Sequence, residues 1–187
     1  MITRTNAKST HVSMVVDGIP VDLTRKRVKN MNMRIGPDGT VRVSAPFLMP
    51  ERVIIEFVRS RAGWIRQHQA SAQERAERLA IPEDEREALR KALRARIDRR
   101  LPYWEDRMGL RSSGYRIRDM KTRWGSCNHQ TRHLNFNLKL ALFDDDVLDY
   151  VIVHELAHIR EANHGPAFWS IVARYLPDYK ILRRRLK

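Results

Sequence analysis

The stretch from Val147 to Ile159 constrains this chain most. It is apolar at nearly every position, yet it holds His154-Glu155-Leu156-Ala157-His158. A helix that is apolar all round is buried. Burying two imidazoles and a carboxylate is costly unless they are paired or bind a metal. Residues four apart share one helix face, so both imidazoles can reach one ion while Glu155 faces a water beside it. Two neutral nitrogens to hold zinc and one carboxylate to take a proton explain the H-E-x-x-H spacing. The competing reading is a pair of core histidines satisfied by hydrogen bonds.

A third nitrogen is at hand in His164, six residues after His158. Asn163 suits a left-handed helix terminus. Gly165-Pro166 then breaks the chain and opens a new helix, with Phe168-Trp169 and Ile171-Val172 as its apolar face. A turn between the helices returns His164 toward the first two. Three protein ligands and an open position describe a catalytic zinc site. The alternatives are Glu161 as third ligand and His164 as a plain turn residue. The His158-to-His164 spacing equals that of metzincins, but Glu161 stands where those have Gly and no Met follows the motif, which argues against that group.

Upstream, the pattern predicts strands over residues 1–45. Asp17-Gly18 is a hairpin signal between Val12–Val16 and Ile19–Leu23. Asn30–Ile35 and Thr40–Val43 alternate about a turn at Gly36-Pro37-Asp38-Gly39, together a small β-meander. Val53, Ile54, Phe57, Val58 and Ile65 predict an amphipathic helix over 50–69. Leu89, Leu93 and Ile97 predict another from about Glu83, ending near Pro102 or Gly109, with its alternating Glu and Arg on a solvated face. Tyr115–Arg118 and Leu134–Leu138 read as strands, and Asp144–Asp146 as the N-cap and negative first turn of the motif helix. The expected parts are a β-rich lobe (1–48), a helical segment (49–110) and a zinc-binding core (111–187), an α+β chain.

Aromatic and apolar content is enough for a packed core in 187 residues. Cys127 is the single cysteine, so no internal disulfide forms. The first residues lack the apolar stretch of a secretory signal and no run approaches a membrane span, so the expectation is a cytoplasmic protein without a membrane partner. The net charge of +14 attracts polyanions, with nucleic acid or nucleotides as candidate partners.

Several segments are similar to one known family. They are Lys121-Thr122-Arg123-Trp124-Gly125-Ser126-Cys127, Leu134-Asn135, and Leu148-Asp149-Tyr150 through His158. Asn163-His164, Phe168-Trp169, Pro177-Asp178-Tyr179-Lys180 and the amino-terminal Gly39–Val43 with Pro46 add to them. With these the chain resembles the YgjP-like metallopeptidases, relatives of the SprT-like and WLM proteases. Gly165 departs from the expected Ser and touches no proposed ligand. The resemblance implies a zincin-like core, a small mixed sheet packed on the motif helix, with zinc on His154, His158 and His164 and Glu155 as general base. It leaves open whether Arg123–Cys127 shapes a cleft or an edge strand for an extended peptide, or only packs. Cys127 is read as buried and inert, with a fourth, inhibitory ligand as the alternative. His129 and His133 are read as surface residues, and Tyr150 and Tyr175 are unranked as donors to a developing oxyanion.

The reading is therefore a zinc-dependent hydrolase acting on peptide or protein substrates. Two rivals remain. One is a metal-dependent nucleoside triphosphate pyrophosphohydrolase, which lacks a Gly-rich phosphate loop here. The other is a basic nucleic-acid-associated protein with a structural zinc, for which four protein ligands, often cysteines, are the norm.

Overall fold

A computed structural model describes residues 9–36 and 38–186. Pro37, in the turn expected at 36–39, lies outside the described residues. The chain divides into two compact units, Met1–Ala80 and Ile81–Lys187. The helical stretch 49–110 is shared between them.

In the first unit, β1 (Ser9–Val16) and β2 (Ile19–Lys26) form an antiparallel hairpin. Asp17 and Gly18 both take positive φ (48° and 79°), the two-residue turn whose twist matches that of the strands. β3 (Asn32–Ile35) pairs antiparallel with β4 (Val41–Ala45), but β4 lies parallel to β2, giving the order β1-β2-β4-β3. The strand order therefore differs from a meander. Alternation of apolar residues decides which face of a strand is buried but not which neighbour it takes. Val21, Leu23, Val41, Val43 and Ala45 form the buried face, together with Ile54 and Val58 of α1 (Glu51–Arg59) and Ile65 of α2 (Ala62–Arg78). The expected single helix over 50–69 is thus two, broken at Ser60 and Arg61, where Arg61 leaves the helical range at φ −115°.

The second unit opens with α3 (Arg86–Met108). Leu93, Ile97, Leu101, Trp104 and Met108 line its buried stripe, and Gly109 ends it in the left-handed region (φ 62°), where Leu110 N–H closes on the Glu105 carbonyl. The expectation of a solvated charged face is not met on the turns carrying Arg96 and Arg100. Arg96 Nε donates to Asp145 (2.7 Å) and its other nitrogen to the Phe143 carbonyl (2.8 Å), while Arg100 clasps both carboxylate oxygens of Asp149. Asp149 is only 6 % exposed, so these arginines tie α3 to the motif helix. Charge periodicity alone does not tell a solvated arginine from one whose carboxylate lies on another helix. Asp149→Ala leaves Arg100 half-stranded, softened by its second contact with Asp145 (3.3 Å). The expected loss is about 2–4 kcal/mol of stability, read by urea denaturation. An unchanged midpoint would count against a clamp.

β5 (Tyr115–Arg118), β7 (Leu134–Asn137) and β6 (Gly125–Cys127) form a small mixed sheet in that spatial order, with β5 parallel and β6 antiparallel to β7. A 3₁₀ turn (Leu138–Leu142) leads to α4 (Asp145–Ala157), capped by the Asp144 carboxylate on Val147 N–H. Val147 through Val153 are all buried, as a helix apolar on every side requires. α5 (Pro166–Tyr175) and α6 (Tyr179–Arg185) close the unit. Phe136, Leu134, Leu148, Ile152, Phe168 and Val172 share its core. The fold is α+β, with a mixed sheet on the motif helix as expected.

Candidate metal centre

α4 ends earlier than the sequence suggests. His158 is its C-cap at φ −65°, and Ile159 and Arg160 N–H tighten back onto the carbonyls of Leu156 and Ala157. Asn163 is not left-handed, since Asp17 and Arg132 are the only described non-glycine residues with positive φ. The early stop lets the chain turn at once. Gly165 caps α5, Pro166 takes its first position, and His164 is carried back over the α4 terminus.

The three histidines meet. One ligand-type atom from each of His154, His158 and His164 lies within 4.8 Å of the others. His154 and His164 bring their Nε2 atoms to 3.0 Å. Two lone pairs repel at that separation, so a proton on one ring or a shared cation must lie between them. His158 Nδ1 donates to the Glu161 carbonyl (3.0 Å), which leaves Nε2 as the free lone pair. Glu161 thus serves through its backbone, and its carboxylate is not in the cluster. His154 Nδ1 is buried without a partner. Phe168 packs against all three rings and Trp169 stacks on His164 (27°).

Burial penalises charge in this centre. It pushes the His154 imidazolium down to about 3, helped by the neighbouring His158, so the ring stays neutral and able to bind metal. His158 is lowered for the same first cause. Glu155, 4 % exposed, is pushed up to about 8, with Arg123 acting against the rise. A cation held by the neighbouring imidazoles would also favour its carboxylate.

A cleft of about 750 Å³ opens over these residues. β6 forms one wall. Its residues pair with β7 on one side only, and Gly125, Ser126 and Cys127 line the cavity. Tyr150, Arg123, His129 and Arg183 complete the polar lining. Tyr150 is 4 % exposed. His129, read from sequence as a surface residue, is exposed but faces the cleft, and its Nδ1 donates to the His158 carbonyl (3.2 Å). His133 and Tyr175 do not line it. Cys127 is half-buried in the wall and outside the metal-capable cluster. Burial, then Glu155, pushes its thiol up to about 11, which opposes the thiolate a metal would need.

The segment Arg123–Cys127, for which the sequence left a cleft wall or plain packing open, does line the cleft, but the supporting contacts of Gly125 and Asn137 were not legible in the sequence. Gly125 allows β6 to press against Glu155. A Cβ there would meet the Glu155 side chain at Oε1 (2.5 Å), Cγ (2.7 Å) and Cδ (2.8 Å). Asn137, 3 % exposed, donates to the Met120 and Arg123 carbonyls (2.7 and 2.6 Å) and so pins the loop that enters β6. Trp124 Nε1 donates to the Leu186 carbonyl (3.0 Å), tying the same segment to the end of α6.

A short mixed sheet beside a helix that carries H-E-x-x-H, with a third histidine folded back over its end, places the second unit among the α+β metallopeptidases. The YgjP-like metallopeptidase domain matches residues 29–88 and 80–187, nearly the whole chain, and the chain belongs to that family. No curated protein matches it. Among solved structures it is similar to the metallopeptidase zymogen abylysin of Pyrococcus abyssi (21 % identity, TM-score 0.45, 48 % of this chain and 90 % of that one). The zymogen jannalysin of Methanocaldococcus jannaschii is similar at 25 % identity and TM-score 0.43, over 48 % of this chain and 92 % of that one.

For such an enzyme, Gly125→Ala tests the wall behind Glu155. The buried carboxyl has little room to yield, so the methyl displaces it by a sizeable fraction of an ångström. The expected result is kcat down about 100-fold with metal content unchanged. Full activity in the variant would mean that Glu155 tolerates a different seat.

Proposed function

We propose that this metallopeptidase domain is zinc dependent, with His154, His158 and His164 as metal ligands and Glu155 as the general base of peptide-bond hydrolysis. The observation that carries the reading is the convergence of three imidazole nitrogens, all within 4.8 Å, beside a buried glutamate at the floor of an open cleft. An all-imidazole donor set suits zinc and other late first-row metals. When bound, the metal supplies Lewis-acid polarisation of the carbonyl and acidifies water.

The residues do the rest. Glu155 takes a proton from the attacking water onto a carboxylate oxygen and passes it to the leaving amine nitrogen. Burial keeps that carboxyl poised to hold a proton between the two transfers. Phe168 and Trp169 fix the ring planes of the ligands. Tyr150 brings a hydroxyl donor to the cleft lining for a carbonyl's developing charge, whereas the His129 ring proton is engaged by the His158 carbonyl. The open edge of β6 offers backbone pairing to an extended peptide, which holds its scissile bond across the cleft.

Incubation of the purified chain with unfolded polypeptides and, separately, with nucleoside triphosphates tests the reading. Peptide cleavage should stop on chelation and return with added zinc. Triphosphate hydrolysis without any peptide cleavage would replace it with the pyrophosphohydrolase alternative.

A further inference from the structure

Among the described residues of the second unit, Arg86, Arg90, Arg96, Arg99, Arg100, Arg111 and Arg185 each reach a carboxylate. Of the arginines outside these salt bridges, Arg123 and Arg183 are the two that line the cleft. They enter from different elements. Arg123 stands two residues before Gly125, in the loop that Asn137 pins. Arg183 lies on α6 with its guanidinium 4.8 Å over the Trp169 ring, the ring that stacks on His164. Tyr179, one turn earlier on α6, stacks on the same indole (15°), so the segment that carries Arg183 is held against the centre. Glu155 is the one carboxylate among the lining residues, and it is buried.

Arg123 acts on the buried Glu155 carboxylate without forming a salt bridge to it, and no exposed acid lines the cleft to pair either guanidinium, which is an incomplete electrostatic arrangement. Arginines kept for bulk charge have no reason to crowd one concave site, where mutual repulsion is costliest. We propose that Arg123 and Arg183 are specificity-determining residues that recognise a carboxylate on the peptide substrate close to the scissile bond. This inference rests on the metallopeptidase reading above and names the substrate class it leaves open. The carboxylate comes from an internal Asp or Glu side chain or from the free C-terminus of a peptide. Guanidinium binds either one through paired, charge-assisted hydrogen bonds.

The test uses the zinc-loaded chain and matched fluorogenic peptides. These carry Glu, Gln or Lys on either side of the cleaved bond, each as free acid and as C-terminal amide. Expected is a preference in kcat/KM of about 10-fold for Glu over Gln, with Lys below both, falling as salt is raised. If instead only the free acids are favoured, the C-terminal carboxylate is the group recognised, and the inference stands in that form. In Arg183→Glu the order should invert toward Lys, a change that a merely structural arginine would not produce. Equal cleavage of Glu and Gln peptides, in both acid and amide forms, overturns the inference and leaves the proposed function standing. Cleavage of no peptide by zinc-loaded protein overturns the proposed function instead.

Discussion

Glu155→Gln is expected to bind metal as the native chain does and to lose peptide cleavage by a factor of about 100 to 10,000. The substitution keeps the size and planarity of the side chain, so β6 still seats against it at Gly125 and the buried helix face is not opened. It removes only the capacity to accept and return a proton. None of the three imidazoles depends on Glu155 for its orientation. His158 is held by the Glu161 carbonyl, and His164 is delivered by the α5 cap. The informative measurement is therefore kcat beside metal content on the same preparation. Loss of both would mean that Glu155 shapes the centre rather than acting in the reaction, and retention of both would remove it from the mechanism.

His164→Ala is expected to reduce bound zinc from about one per chain to a small fraction at equal concentrations of metal and protein, with cleavage lost in parallel. Its physical basis differs from that of the helix histidines. His164 is exposed and sits between α4 and α5, so its removal leaves no buried cavity and the fold should be retained. His154, by contrast, is part of a helix packed on every side, and Ala there confounds metal loss with packing loss. Metal content by mass spectrometry together with circular dichroism separates the two cases. A His164→Ala chain that keeps full zinc affinity would leave a two-histidine site, which is too weak a donor set for the role proposed.

Much of the centre was readable from residue order because it obeys local geometry. The 3.6-residue period places His154 and His158 on one face, and an apolar run around them implies burial with a purpose. Gly165-Pro166 marks a chain break that can return His164. The Asp144 cap, the Asp17-Gly18 hairpin and the strands at Tyr115 and Leu134 are likewise short-range features whose cause lies within a few residues.

What escaped the sequence depends on which segments become neighbours. Asn163 is of a type suited to a left-handed terminus, yet the helix stops five residues earlier, at His158, and the turn that delivers His164 contains no residue of positive φ. Arg96 and Arg100 look like solvated charges until α4 supplies Asp145 and Asp149. His129 reads as a surface residue until the β6–β7 turn brings it to the cleft.

By itself, then, the sequence determined that His154 and His158 share one helix face, that His164 follows a chain break able to return it, and the α+β character, because periodicity and chain breaks act locally. Only the tertiary structure decided that β4 runs beside β2 and that Gly125 must lack a side chain opposite Glu155. It also decided that two arginines from separate elements share one cleft in which no exposed acid pairs with them. These are relations between residues distant in the chain, and no local preference encodes the distance that separates them after folding.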